Sequence, residues 1–202
     1  MRFILASSSR ARLRTLRDAG VVPEVIVSYV DEDAIAATMP DATTAELVQA
    51  LANAKVSAVM QGLDGDRLVL GCDTMLEFDG VAMGKPGTVA VAIDRWRHMR
   101  GRRGFLYTGH CLHDSVSGRL VIATARTTVH FADLSDDEIE LYCSTGEPSN
   151  VAGAFTIDGF GGWFIKAIEG DHHNVVGLSL PDVRRMLGEL NYSLTDIGYP
   201  TP

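Results

Sequence analysis

The chain has 202 residues, 46% of them hydrophobic and 22% charged, and a formal net charge of −8 at pH 7. That length holds one domain, with a single core or two lobes sharing it, and the acidic balance argues against a coat for nucleic acid or an anionic membrane. No apolar run nears the roughly 18 residues of a membrane span, Phe3 to Ala6 is too short for a signal peptide, and Cys72, Cys111 and Cys143 show no CxxC spacing. The expectation is a cytoplasmic protein with reduced thiols, no zinc knuckle and no disulfide framework.

Phe3 to Ala6 reads as a short buried strand. Leu13, Leu16 and Ala19 follow at helical spacing, with Ser9 placed to cap that helix and Gly20 to stop it. Glu24 to Val30 reads as a second strand. Thr43-x-x-Glu46 has the pattern of a capping box, and the helix it opens is expected to set Leu47, Leu51, Ala54 and Ala58 on one face. Leu68 to Phe78 is strand-like, Asp79-Gly80 is a hairpin signal, and Val89 to Arg100 looks helical. Phe105 to Leu112 and Leu120 to Phe131 are expected strands around the turn Ser115 to Gly118. Ser135-x-x-Glu138 opens a further helix to about Ser144. A glycine-rich loop, Gly153 to Gly162, leads into an expected strand, Trp163 to Ile168. Ser179 to Leu190 forms the last helix, with Pro181 in its first turn, and nothing after Asn191 shows a pattern. Helices and strands alternate, then strands dominate, which predicts an α/β fold with a mixed sheet flanked by helices.

Three charges sit where apolar residues are expected. With Ser9 as cap, Arg10, Arg14 and Arg17 share a solvated stripe, whereas Arg12 falls beside Leu16 and Ala19. A charge there needs a partner. Small Ser7 and Ser9, open N–H groups of the first turn and one guanidinium suit an anion; a local salt bridge explains Arg12 equally well. Lys55 lies in the apolar stripe of its helix, as a snorkelling lysine also would. Asp73 interrupts the buried run LVLGCDTML, where an ionised carboxylate requires a cation, a metal or a dense shell of donors. The turn Gly84-Lys85-Pro86 follows the hairpin and brings another lysine. Asp31-Glu32-Asp33 suits a helix N-terminus, yet Glu32 could also approach Asp73. Two carboxylates, two lysines and an arginine suit a metal-bound polyphosphate.

These same residues carry a resemblance. LASSSRARLRTL, VDE (30–32), LANAKV, GCDTMLEFDGVAMGKP, YTGHCL and EPSNVAGAFTIDGFGGWFIKAIEGDHHNVVGLSLP stand in the order and spacing of the Maf family of nucleotide pyrophosphatases. The resemblance implies one Maf-like domain over 1–202, related in fold to the inosine triphosphate pyrophosphatases, with two lobes around a central cleft. It implies hydrolysis of a nucleoside triphosphate to the monophosphate and pyrophosphate, with Mg²⁺ or Mn²⁺, by a homodimer. By position, Asp73 matches the family's proton acceptor, Glu32 a metal-associated acid, Lys55 and Lys85 active-site lysines, and Ser7, Ser9 and Arg12 the phosphate-binding motif. Thr74 and Asp158 fall at positions that distinguish the family's substrate branches.

The departures are local. The usual Ser-x-Ser-Pro-Arg-Arg reads Ser7-Ser8-Ser9-Arg10-Ala11-Arg12, so one arginine is replaced by Ala11. The common Asp-Lys-Ala-Gly reads Asn150-Val151-Ala152-Gly153. The branch acting on dTTP and UTP has Thr after the catalytic Asp and Gln in the later loop, whereas this chain has Thr74 and Asp158. The branch acting on 7-methylated GTP has Gln and Glu there, with an aromatic at the place of Ala11, so no base is named. A carboxylate at 158 accepts hydrogen bonds where Gln also donates. Ala11 and Val151 keep a second reading open, a weakened nucleotide-binding regulator. Gly101-Arg102-Arg103-Gly104 has the GxxG form of an RNA-clamping loop, but a strand-like run follows where that motif needs a helix, so no nucleic-acid partner is expected. His110-x-x-His113 and His172-His173 lack a third ligand and are expected in loops or at polar edges.

Overall fold

The computed structural model describes residues 1–198. β1 (Arg2–Leu5) buries Phe3 to Leu5 and delivers the chain to α1 (Arg10–Asp18). Ser9 caps α1 through its hydroxyl, which accepts from the Arg12 amide. Arg12, Thr15 and Leu16 face inward while Arg10, Arg14 and Arg17 face solvent, as the spacing predicts. Gly20 takes φ +84° just beyond the helix, a conformation glycine adopts at little cost.

The second strand is shorter than expected. β2 (Glu24–Val25) pairs in parallel with β1 and then stops. Tyr29 turns the chain at φ +50°, and Asp31 caps α2 (Glu32–Ala37) by accepting from the Ala34 amide. An Asp side chain offers the backbone this alternative to a sheet ladder.

α3 (Thr44–Met60) begins with both halves of the predicted capping box. Its buried face is Val48, Leu51, Ala52, Lys55, Val56 and Val59. Leu51 alone keeps its expected place; Leu47, Ala54 and Ala58 are half-buried. The stripe is rotated because α3 lays the backbone of Val48 and Ala52 against two glycines of the sheet, and periodicity within the helix does not report them.

β3 (Arg67–Phe78) turns through Asp79-Gly80, both at positive φ, into β4 (Val81–Met83), the two pairing antiparallel. α4 (Val89–Met99), β5 (Arg103–Asp114) and β6 (Leu120–Phe131) follow, then α5 (Asp136–Ser144), which opens with the second capping box. The glycine-rich stretch forms short 3₁₀ turns, the last at Phe160–Phe164, so β7 (Ile165–Glu169) begins two residues later than expected. His172-His173 opens a short helix, α6 (His172–Val176), rather than a loop. α7 (Leu180–Glu189) has Ser179 as its cap and Pro181 in its first turn. The expectation of no pattern after Asn191 is corrected at Leu194–Ile197, a single 3₁₀ turn; its last four residues lie outside those described.

The strands order as β2-β1-β3-β5-β6-β7, with β4 on β3. β1 and β3 run parallel while β6 and β7 run antiparallel, so the sheet is mixed. The chain divides into two compact units: 1–73, 108–125 and 177–202 make the first, 74–107 and 126–176 the second. In the first, Phe3, Leu5, Leu16, Leu70, Leu112 and Met186 belong to one apolar cluster, and Ile4, Val56, Val69 and Cys111 to another. The second unit is built around Trp96, whose ring meets Phe131 and Tyr142 edge-on and whose indole N–H donates to the Ala154 carbonyl.

Candidate active site

In the first unit, Lys55, Asp73 and Glu32 meet. Lys55 Nζ lies 2.5 Å from Asp73 Oδ1 and 2.7 Å from Glu32 Oε1. The Lys55 and Asp73 side chains are each 8% exposed, that of Glu32 47%. Elementary packing explains the encounter. A Cβ at Gly71, two residues before Asp73 and on the same strand face, would stand 2.6 Å from the Ala52 carbonyl oxygen and 2.7 Å from Val56 Cγ2. A Cβ at Gly109 would collide with the Val48 carbonyl. Bare backbone at both places lets α3 settle directly on the sheet, which carries Lys55 down to Asp73. Glu32 arrives from the first turn of α2.

The electrostatics follow from burial. Desolvation pushes the Asp73 carboxyl above its ordinary range; Lys55 and Arg12 oppose that rise and Glu32 adds to it. Asp73 is therefore a carboxylate of enhanced basicity held beside two cations. The Cys72 thiol, buried next door, is pushed up to about 11 by desolvation, so it is a neutral packing group.

Arg12 is tied to the protein rather than splayed into solvent. Its Nε donates to the Gly177 carbonyl at 2.7 Å, and Nη1 donates to the Cys72 carbonyl at 2.8 Å and to Ser7 Oγ at 3.1 Å. Ser7 Oγ also accepts from the Ser9 amide. Ser7, Ser9 and Arg12 thus form one knot at the start of α1, fastened to the strand residue before Asp73. Two of these acceptors are main-chain carbonyls, which leave no mark in residue type.

The remaining sequence candidates belong to the second unit. Thr74 is half-buried on β3, Lys85 is exposed in the turn after β4, and Asp158 is exposed in the glycine-rich loop. The Lys85 turn is fixed through its neighbours. The Gly84 carbonyl accepts from Arg95 Nη1 at 2.6 Å and from the Gly153 amide at 3.3 Å, and the Gly87 amide donates to the Ser149 carbonyl at 3.0 Å. Arg95 carried no sequence signal.

A comparison of the whole chain with known proteins decides its kinship: residues 2–190 match the family described as Maf-like protein. The chain belongs to the Maf family. Among curated relatives, a nucleoside triphosphate pyrophosphatase of Salinispora tropica is 51% identical over 100% of this chain and 92% of its own length. Proteins of the same name from Streptomyces avermitilis and Streptomyces coelicolor are each 52% identical, over 98% of this chain and 95% of their own. A solved nucleoside-triphosphatase / dITP/XTP pyrophosphatase from Mycobacterium abscessus aligns over 95% of this chain and 94% of that one, at 14% identity and a TM-score of 0.36, too slight a likeness to bear on substrate.

Within this Maf chain the departures fall at defined places. Ala11 is half-buried in the first turn of α1, and Val151 is half-buried beside Gly153. His110 is fully buried, not at a polar edge, and its Nε2 accepts from the Ser179 amide at 2.9 Å. Among the described residues no group of three His, Cys, Asp or Glu is placed to hold an ion. Glu32 and Asp73 are nonetheless two hard oxygen donors meeting at one amine, a set that suits an ion completing its shell with phosphate and water. No helix of the described residues is long and apolar enough to cross a membrane.

Proposed function

We propose that this Maf protein hydrolyses a nucleoside triphosphate to the monophosphate and pyrophosphate. The observation that carries the reading is the buried Lys55–Asp73 pair with Glu32 on the same ammonium, in a chain about half identical to proteins named nucleoside triphosphate pyrophosphatase. Asp73, made more basic by burial, orients a water and takes its proton as the water oxygen attacks the α-phosphorus. The bond from that phosphorus to the bridging oxygen breaks, and pyrophosphate leaves with the electron pair. Lys55 offsets the negative charge that develops. Ser7, Ser9, Arg12 and the N-terminus of α1 hold phosphate oxygens. Glu32 would hold Mg²⁺ or Mn²⁺, with Asp73 lending the oxygen it does not use as base, and the ion when bound supplies charge neutralisation for the phosphates.

By the resemblance Lys85 is a second catalytic lysine, assigned to the negative charge that develops on the phosphates, and Thr74 and Asp158 are assigned to the base. Action as a cytoplasmic homodimer without a nucleic-acid partner belongs to the same proposal, and light scattering on the purified protein tests the dimer.

The deciding experiment incubates the protein with a panel of canonical and modified nucleoside triphosphates, with and without Mg²⁺ or Mn²⁺, and separates the products. Metal-dependent monophosphate plus pyrophosphate, lost in Asp73→Asn, supports the reading. Orthophosphate as first product contradicts it. Ala11 and Val151 favour a second reading, a regulator that binds nucleotide without turning it over, which tight binding by a folded but inactive protein would support.

A further inference from the structure

The loop that bears Asp158 has no ladder of its own. Between Phe155 and Ile165 the chain makes short turns, and one side chain from outside gathers it. Glu147 Oε1 accepts from Thr156 Oγ1 at 2.6 Å, from the Gly161 amide at 2.9 Å and from the Tyr142 hydroxyl at 2.9 Å, while Oε2 accepts from the Phe160 amide at 2.9 Å. The Tyr142 hydroxyl in turn accepts from the Thr156 amide. These donors hold the carboxyl of Glu147 below its ordinary range against the opposing effect of burial. Thr156 and Phe160 are therefore pinned to one carboxylate, and Ile157-Asp158-Gly159 is the span between the pins. A Cβ at Gly159 would strike Glu147 Oε2, and one at Gly161 would strike the Tyr142 hydroxyl. The loop lies directly on its anchor.

We propose that Glu147 is the positioning residue that sets base selection, by fixing the short span that presents Asp158. The proposal rests on the reading that this loop borders the base. The bonds of this carboxylate to N–H and O–H donors are charge-assisted and about twice as strong as neutral ones. An amide at 147 would set its own N–H₂ against at least one of the four donors, whichever way it is turned. The same short segment continues to Ser149 and Gly153, whose main chain holds the Lys85 turn.

The test uses the full chain and three variants: Glu147→Gln, Thr156→Val and, as a control, Ser135→Ala, which weakens the cap of α5 without touching the loop. Each is assayed for kcat and KM across nucleoside triphosphates of different bases. Affinities for the same nucleotides are measured in the Asp73→Asn background, and hydrogen exchange at the Phe160 and Gly161 amides is followed. In Glu147→Gln those amides should exchange about tenfold faster. KM for the preferred base should rise about tenfold with kcat little changed, and preference among bases should narrow. Thr156→Val should move the same quantities less. Ser135→Ala should lose stability and keep the preference. An unchanged preference despite loosened amides overturns the proposal, as does an equal loss on every base. Loss of preference in affinity from a protein with no turnover would sink the pyrophosphatase reading alone. No nucleotide bound at all would sink both.

Discussion

Lys55 Nζ and Asp73 Oδ1 stand 2.5 Å apart, with both side chains nearly out of water. The Asp73 charge leans on that ammonium, whereas Lys55 keeps Glu32 at 2.7 Å if the charge of Asp73 is removed. Lys55→Met should therefore raise the Asp73 pKa further, because the largest influence opposing desolvation is that ammonium. Carbon NMR of the labelled Asp73 carboxyl should show it titrating at higher pH than in the unaltered protein. A carboxyl that titrates at the same pH would mean that Lys55 does not govern its charge.

Asp73→Asn separates chemistry from stability. The amide keeps the shape and accepts one bond from Lys55, but it cannot take a proton. Turnover should fall by about 10²–10⁴, the usual contribution of a general base, while urea unfolding still shows a single cooperative transition. Activity within a factor of a few of normal would remove Asp73 from the chemistry.

Gly71→Ala should push α3 off β3. A methyl 2.6 Å from the Ala52 carbonyl cannot be accommodated by side-chain rotation, and overpacking of this kind costs about 1–3 kcal/mol or more. Turnover should fall beyond what the unfolded fraction explains, because Lys55 rides on the displaced helix. Gly109→Ala, which meets the Val48 carbonyl, should lose comparable stability. Denaturation midpoints together with kcat on the folded fraction test both.

Arg95→Gln should loosen the Lys85 turn. Its guanidinium donates to the Gly84 carbonyl at 2.6 Å, and loss of a hydrogen bond from a charged donor is worth about 1.5–3 kcal/mol. If Lys85 meets the substrate, kcat/KM should drop roughly tenfold or more, and Arg95→Lys should recover part of it. Equal activity in all three proteins would place the turn away from the reaction.

His110 predicts an acid-sensitive fold. Burial depresses its pKa to about 4 from an ordinary 6.5, and its Nε2 must be unprotonated to accept from Ser179. Between those values the unfolded chain binds a proton that the folded chain refuses, so stability falls as pH falls from 6.5 toward 4. The full effect is about 3 kcal/mol. Asp73 acts in the opposite sense: its raised pKa contributes stability below its unfolded value that is lost as pH rises through the folded one. Urea midpoints across that range should show a slope that flattens by up to one proton in His110→Asn.

Much of this was legible in the residues because it rests on local chemistry. Capping boxes at Thr43 and Ser135, the hairpin at Asp79-Gly80 and the inward turn of Arg12 all follow from side chains acting on neighbouring backbone. The errors arose where distant parts decide. The face of α3 departs from its apolar pattern because glycines of two strands, not its own periodicity, choose which residues it buries. The strand after Glu24 is shorter than its residues suggest, and Asp31 captures the backbone for α2. Arg12 reaches carbonyls at Cys72 and Gly177, and Glu147 looks like any surface acid until the amides of Phe160 and Gly161 arrive on it. Arg95 was silent for the same reason, since its acceptor is a main-chain oxygen.

The absent side chains at Gly71 and Gly109 have one last consequence. The separation between Lys55 and Asp73 is gauged by the contact radii of peptide atoms at Ala52 and Val48, with the Val56 side chain beside them at Gly71. Exchanges among Val59, Ile4 or Val69 can alter how firmly the first unit holds together while leaving that spacing at its stop. The region around the pair is thus free to drift in composition, and the two glycines act as fixed shims beneath a helix whose upholstery can change.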